Sequence, residues 1–562
     1  MSDATVPLAR YLFERLVQLG VESVFGLPGD FSLALLDELE TFDELAWVGA
    51  ASELGASYAA DGYARARGLG VLATTFGVGE LGASGGVAGS MAEDVGVLHI
   101  VSSPATAAMS AGALVHHTLA DGDHSRFLRI AAEITHSQHV VAAQSAADDV
   151  DRALSEWVAS RRPTYLLIPQ DLSLTPVPRA SLERPVAVSC KATDQRVSAQ
   201  ALIADFFDRF PSPIAVIGHL IARWGRTDLP STLIERGTRL AALPNSKGIV
   251  DETATGYLGL YNGKLSGSAI RNAVESHDGR VLIGCTLTDT TTGGLSHAFA
   301  PESTLVVSHN GLSWGGADVE GIRFVELVDI LSDQWPRQDG RVVTNPSTTP
   351  LAWAAPDALE APLTQDQLWA SIGRSLPTHT RLFADTGTSH YGALDIAFPD
   401  DTAFEPAPVW SAIGYSLPAA LGAAIGDRSR RVVAVVGDGA TQLVAQELGL
   451  IHREQLNPVV ILVNNGGYTV ERVIRGPRAG YNDIAAWDWP LVPRALGVPE
   501  ASLTIETVRD SKSLSEALRE AFGDPTRAHF IEVVTGALDA PPTLATMAEM
   551  LRAKAMKAEA TT

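Results

Sequence analysis

The apolar residues of this chain follow two rhythms. Short unbroken runs rich in Val, Ile and Leu alternate with stretches where apolar residues return every three or four positions. The runs read as strands and the stretches as helices. Residues 8–19 predict an amphipathic helix and 24–30 a short strand ending in a Gly/Pro turn. An Ala-rich helix follows over 52–67, with one acid, Glu53, at its start. Strands follow at 71–76, 97–102 and 165–168. Runs apolar on both faces, separated by helices, are expected of buried parallel strands. The rhythm resumes with strands at 214–218, 281–284 and 304–308. It resumes again at 432–436 and 459–463, where the intervening helix puts Leu443, Leu448 and Ile451 on one face. Residues 545–557 are helical in pattern.

Two proline-rich breaks, 171–196 and 336–362, interrupt the alternation and read as linkers. The expected architecture is α/β, with three doubly wound α/β domains over 1–180, 190–345 and 360–562. A chain of 562 residues is too long for one core. The 46% hydrophobic and 19% charged content is that of a globular protein. A net charge of −23 argues against nucleic acid or an anionic membrane as partner. An anionic substrate would have to be drawn in by local dipoles and cations. Two cysteines, Cys190 and Cys285, make no disulfide framework and no zinc set. No run is apolar enough to span a membrane. The first residues include acids and lack an apolar core, so they do not read as a signal peptide. The expected compartment is the cytoplasm.

Chemistry gathers in the last third. The strand at 432–436 ends in Gly437-Asp438-Gly439, and the strand at 459–463 ends in Asn464-Asn465. A crossover between parallel neighbours puts Asp438 and Asn465 at one sheet edge, where open α/β sheets bind ligands. A carboxylate and an amide oxygen together suit a hard cation such as Mg²⁺. Gly437, Gly439, Gly466 and Gly467 let backbone approach a bulky anion. The plain alternative is two β-turns with polar residues. Residues 77–82 (GVGELG) fit a dinucleotide-binding string. The acid that should end the next strand instead precedes it, as Glu93 and Asp94, which counts against that reading.

The pattern GDG…NN resembles the thiamine-diphosphate signature. The stretches VFGLPGDF, SELGASYAADGYARARG, TTFGVGELGASGGVAGSMAE, LVHHTLADGD, ADTGTSHYG, VWSAIGYSLPAALG and NNGGYTVERVIRGPRAGYNDI extend the likeness over most of the chain. Together they resemble the thiamine-diphosphate-dependent 2-oxo acid decarboxylases, whose members act on pyruvate, indolepyruvate, phenylpyruvate or branched-chain acids. The resemblance implies pyrimidine-binding, middle and diphosphate-binding domains in that order. It implies that Asp438, Asn465 and the Gly467 carbonyl hold Mg²⁺ on the diphosphate. Thr388, Ser411, Ile413, Gly439, Ala440, Tyr468 and Thr469 would contact the cofactor, with Ile413 as the bulky wedge that bends it. Glu53 would hydrogen-bond the pyrimidine ring. Asp30, His116, His117 and Glu471 would form a proton relay. Side chains of adjacent residues ordinarily diverge, so His116 and His117 are not expected to chelate one metal. Val470, His390, Met547 and Leu551 would border the substrate.

Some positions depart from the family pattern. Ala440 stands where Ser is frequent, Ser411 where Gly is common, and Asp94 where yeast pyruvate decarboxylases carry histidine. No cysteine follows Val216 where those enzymes have a regulatory one. The implied activity is non-oxidative decarboxylation of a 2-oxo acid to an aldehyde and CO₂, with broad substrate range. The implied assembly is a homodimer at minimum, with a homotetramer expected. A carboligase or flavin-containing oxidase of the same superfamily, such as an acetolactate synthase, is the enzymatic alternative. An inactive thiamine-diphosphate-binding paralogue is the other.

Overall fold

The structure, a computed structural model, describes residues 5–187, 193–338 and 362–559. Most of the expected break at 336–362, and Cys190 within the other, lie outside the described residues.

In the first sheet, strands β2 (Ser23–Gly26), β3 (Ala46–Gly49), β4 (Gly70–Thr75), β5 (Val97–Ser103), β6 (Ser137–Val140) and β7 (Thr164–Pro169) lie in the order β3-β2-β4-β5-β7-β6. All neighbours are parallel. Two outlying strands, β1 (Thr5–Pro7) and β8 (Pro176–Pro178), pair antiparallel. Successive residues alternate between two cores, as a pleated strand requires. Leu98, Ile100, Leu166 and Ile168 face one core with Trp157, whereas Val101, Tyr165 and Leu167 face the other with Phe76 and Phe127.

The second sheet contains β9 (Ile214–Ile217), β10 (Leu240–Ala242), β11 (Tyr257–Leu260), β12 (Arg280–Ile283), β13 (Thr304–Ser308), β14 (Gly311–Trp314) and β15 (Ala317–Glu320). Its order is β11-β10-β9-β12-β13-β14-β15, ending in an antiparallel meander. The third contains β16 (Thr380–Ala384), β17 (Ala403–Phe404), β18 (Arg431–Gly437), β19 (Val459–Asn464), β20 (Leu503–Val508) and β21 (Ala528–Val534). It is parallel throughout, in the order β17-β16-β18-β19-β21-β20. Strand for strand this repeats the order of the first sheet. In both, the chain reverses its direction of growth between the first strand and the third. That switch point opens a crevice beyond the C-terminal strand ends.

By contact the chain divides into two units. One comprises Met1–Cys190 with Pro418–Ser429 and Gln446–Leu456; the other comprises Lys191–Leu417, Arg430–Ala445 and Asn457–Thr562. No described helix is long and apolar enough to cross a membrane.

The helix expected after Asp438 is not continuous. It breaks into Asp438–Gln442, a tight turn at Ala445–Leu448, and Gly449–Arg453. Leu448 and Ile451 are buried, but Leu443 is half exposed. The cause is Glu447. From the tight turn its buried carboxylate accepts the Ala51 amide (3.1 Å) and the Ser52 hydroxyl (3.1 Å). Burial raises its pKa and these donors partly offset that.

Candidate active site

In the second unit, the ends of β16, β18 and β19 converge on one cavity of about 290 Å³. Its walls include Thr388, Ile413, Asp438, Gly439, Ala440, Asn465, Gly467, Tyr468, Thr469, Val470 and Glu471. Asp438 follows the last residue of β18 and is buried. One carboxylate oxygen accepts the Gly439 amide at 2.7 Å; the other accepts Gly466 at 2.7 Å and Gly467 at 3.2 Å. Loss of hydration raises its pKa, and the amides work against that rise.

Asn465 sits opposite. One end of its amide faces Asp438 Oδ1 (3.3 Å) and the Gly467 carbonyl (2.7 Å), and the other end faces Thr469 Oγ1 (3.0 Å). With nitrogen toward Asp438 it donates to both oxygens. Turned by half a rotation, the amide brings three oxygens together, an arrangement that only a cation makes favourable. This all-oxygen set fits a hard divalent ion. Gly467 has φ +134°, and a Cβ there would lie 2.2 Å from the Asn482 carbonyl, so the turn requires glycine.

Sequence reading passed over Arg472. It is buried and donates to the carbonyls of Asn465 (3.3 Å), Gly466 (2.7 Å) and Asn482 (3.3 Å), and to Asp483 (2.8 Å). It therefore fixes the turn that presents Asn465 and Gly467. Its signal was a basic residue beside Glu471 in NNGGYTVER. Asp385 was also missed, although ADTGTSHYG contains it. Fully buried behind Thr386, it accepts the Thr386 amide (2.9 Å) and the Gly414 amide (3.0 Å). Burial pushes its pKa up to about 7.

Ser411, His390, Met547 and Leu551 do not line this cavity. Ser411 has a left-handed φ of +55°, which accounts for glycine being common in that place. His390 is buried, with its ring nearly parallel to Phe404 and its pKa lowered by burial to about 4. Met547 receives a contact from the Tyr391 hydroxyl at 2.9 Å, and Leu551 is partly exposed.

The first unit holds the other named groups. Glu53 opens the helix Glu53–Arg67, whose cap, Ser52, accepts the Gly55 amide at 3.0 Å. Glycines of the GVGELG string stand against it: a Cβ on Gly82 would lie 3.1 Å from Glu53 Oε2, and one on Gly79 3.6 Å from Oε1. The string makes room for a carboxyl side chain. Its first glycine, Gly77, donates to Glu80 at 2.7 Å. Asp30, His116 and His117 form a cluster. His116 Nε2 lies 2.7 Å from Asp30 Oδ2, and His117 Nδ1 lies 3.9 Å from Oδ1. The expected divergence of the two histidines fails because His117 adopts φ +59°. That left-handed residue turns successive side chains toward the same carboxylate.

The model for thiamine pyrophosphate enzymes, N-terminal TPP binding domain, matches residues 7–125; that for the C-terminal TPP binding domain matches 385–533. A curated alpha-keto-acid decarboxylase of Mycolicibacterium paratuberculosis is 39% identical over 540 residues, 94% of each chain. One from Mycobacterium tuberculosis H37Rv is 37% identical over 550 residues, 96% of each. One from Mycobacterium leprae is 37% identical over 554 residues, 96% of this chain and 95% of the other.

Proposed function

Because the chain belongs to the thiamine-diphosphate-dependent 2-oxo acid decarboxylases, we propose that it converts 2-oxo acids to aldehydes and CO₂ without net oxidation, with Mg²⁺ as second cofactor. The observation that carries this reading is the oxygen cluster of Asp438, Asn465 and the Gly467 carbonyl at the wall of the cavity. These three groups hold Mg²⁺. Gly439 and the buried turn fixed by Arg472 let a diphosphate approach, while Ile413, Ala440, Tyr468 and Thr469 enclose it.

The bound thiamine supplies the electron sink that decarboxylation needs. The chain supplies position and protons. Glu53, at the first helical turn, hydrogen-bonds the pyrimidine. His116 is hydrogen-bonded to Asp30 and so is placed to pass a proton, and Glu471 brings a carboxyl to the wall of the second unit's cavity. Val470 borders the space left for the substrate side chain and, being small, admits branched and aromatic acids. The working assembly is a homodimer or a tetramer, measurable by sedimentation.

The test is a panel of pyruvate, 2-oxoisovalerate, phenylpyruvate, indolepyruvate and benzoylformate, with CO₂, aldehyde and ligated products quantified for each. The reading expects aldehyde and CO₂ in equal amounts, no bound-flavin absorbance, and loss of activity on Mg²⁺ removal. Ligated products as the main outcome would favour an acetolactate-synthase-like enzyme. No turnover of any acid would leave a cofactor-binding paralogue.

A further inference from the structure

We propose that Asp30, His116 and His117 form a second metal site, selective for a borderline cation such as Zn²⁺, whose occupation blocks turnover. The site goes beyond the Mg²⁺-dependent reaction just described.

Three observations support it. First, the donor atoms are already gathered: one from each of the three residues, all within 4.8 Å of one another. A tetrahedral zinc ion with bonds of about 2.0–2.1 Å holds its donors a little over 3 Å apart. The His116–Asp30 pair at 2.7 Å opens slightly, and the remaining donors, no more than 4.8 Å apart, close to meet that spacing. Second, His117 Nδ1 is buried and makes no hydrogen bond. A buried ring nitrogen without a hydrogen-bond partner is costly, and this one lies 3.9 Å from Asp30 Oδ1. Third, the convergence is maintained against the backbone. His117 sits at φ +59°, a conformation that is unfavourable for a residue with a side chain. Phe31 stacks on His116 at 4.9 Å and meets His117 edge-on at 5.7 Å, which fixes both rings. Strain held in place by packing marks a site whose geometry matters.

The chemistry of the donors sets the selectivity. Two imidazole nitrogens and one carboxylate oxygen suit Zn²⁺, Co²⁺ or Cu²⁺ and are poor ligands for Mg²⁺. Saturating Mg²⁺ therefore fills the Asp438 site and leaves this one open. Three protein ligands leave a fourth position for water or for a substrate carboxylate. Asp30 and His116 are exposed in the single chain, so a cation can reach them. A bound cation takes the lone pairs through which these groups would exchange protons. The same three residues thus serve either a proton or a metal, and not both at once.

The experiment uses holoenzyme saturated with Mg²⁺ and thiamine diphosphate. It is equilibrated with buffered micromolar Zn²⁺, and retained zinc is measured by elemental analysis. The expected result is one zinc per chain in the wild type and background levels in Asp30→Ala, His116→Gln and His117→Gln. His379→Gln, in another histidine–aspartate pair (2.6 Å to Asp401), should retain it. Co²⁺ in place of Zn²⁺ should give the visible absorption of a tetrahedral nitrogen–oxygen site in the wild type. Aldehyde formation should stop with zinc and return on chelation. Absence of stoichiometric zinc in the wild type overturns the proposal, as does undiminished zinc in all three variants. Because metal content is read directly, the site itself stands or falls whether or not the chain decarboxylates any acid tested; undiminished aldehyde formation with zinc bound overturns the block on turnover.

Discussion

At the scale of single residues, Asp385 carries the clearest pH signature. Burial raises its pKa to about 7, well above that of an aspartate in the unfolded chain. Between those values the folded state holds a proton that the unfolded state has lost. The contribution to stability is therefore full below the unfolded value and falls as pH rises through about 7. At ~1.4 kcal/mol per pH unit, a shift of this size amounts to about 4 kcal/mol. The wild type should lose more thermal stability than Asp385→Asn between pH 5 and pH 8, as followed by calorimetry; parallel pH profiles would show that the proton is not held. A second residue-scale prediction concerns Val470. One added methylene in a pocket changes discrimination by ~1–3 kcal/mol. Val470→Ile should move the kcat/KM ratio between pyruvate and 2-oxoisovalerate toward pyruvate by ~10-fold, measured by coupled aldehyde assay.

At the scale of elements, the turn after β19 depends on one guanidinium. Arg472→Gln removes charge-assisted bonds to three carbonyls, and buried acceptors left unpaired cost ~1–3 kcal/mol each. The variant should unfold at lower temperature and bind thiamine diphosphate at least ~10-fold more weakly by calorimetric titration. Unchanged affinity would remove Arg472 from the site's construction. This is also where the limits of sequence reading show. The strands at 432–436 and 459–463 were legible because both faces are buried and most of the residues are β-branched. Asp438 and Asn465 were legible because parallel topology alone brings them to one edge. Arg472 and Asp385 were not, since each acts on backbone that is close only after folding. The broken helix after Asp438 was misread for the same reason: its periodicity is helical, but Glu447 is held by residues nearly four hundred positions away. The left-handed turn at His117 leaves no trace in composition, so the two histidines were expected to diverge.

At the scale of the whole molecule, charge acts against the substrate. The chain carries a net −23, and a 2-oxo acid is an anion. Surface repulsion is screened over ~10 Å at 0.1 M salt. Raising ionic strength from 10 to 150 mM with a non-inhibiting salt should leave kcat/KM unchanged or raise it by a few-fold. A steep fall would mean that a positive funnel outweighs the global field.

The repeated strand order also separates two kinds of variation. In the first sheet the crevice loops carry groups that can exchange protons, such as Asp30. In the third sheet they carry residues proposed to hold charge in place, such as Asp438. The backbone ladders beneath the two sets are separate sheets. On the proposed roles, proton transfer can be tuned in the loops around Asp30 while retention of the diphosphate and its metal is tuned in the loops around Asp438. Breeding the enzyme thus starts from two libraries that can be screened apart and recombined.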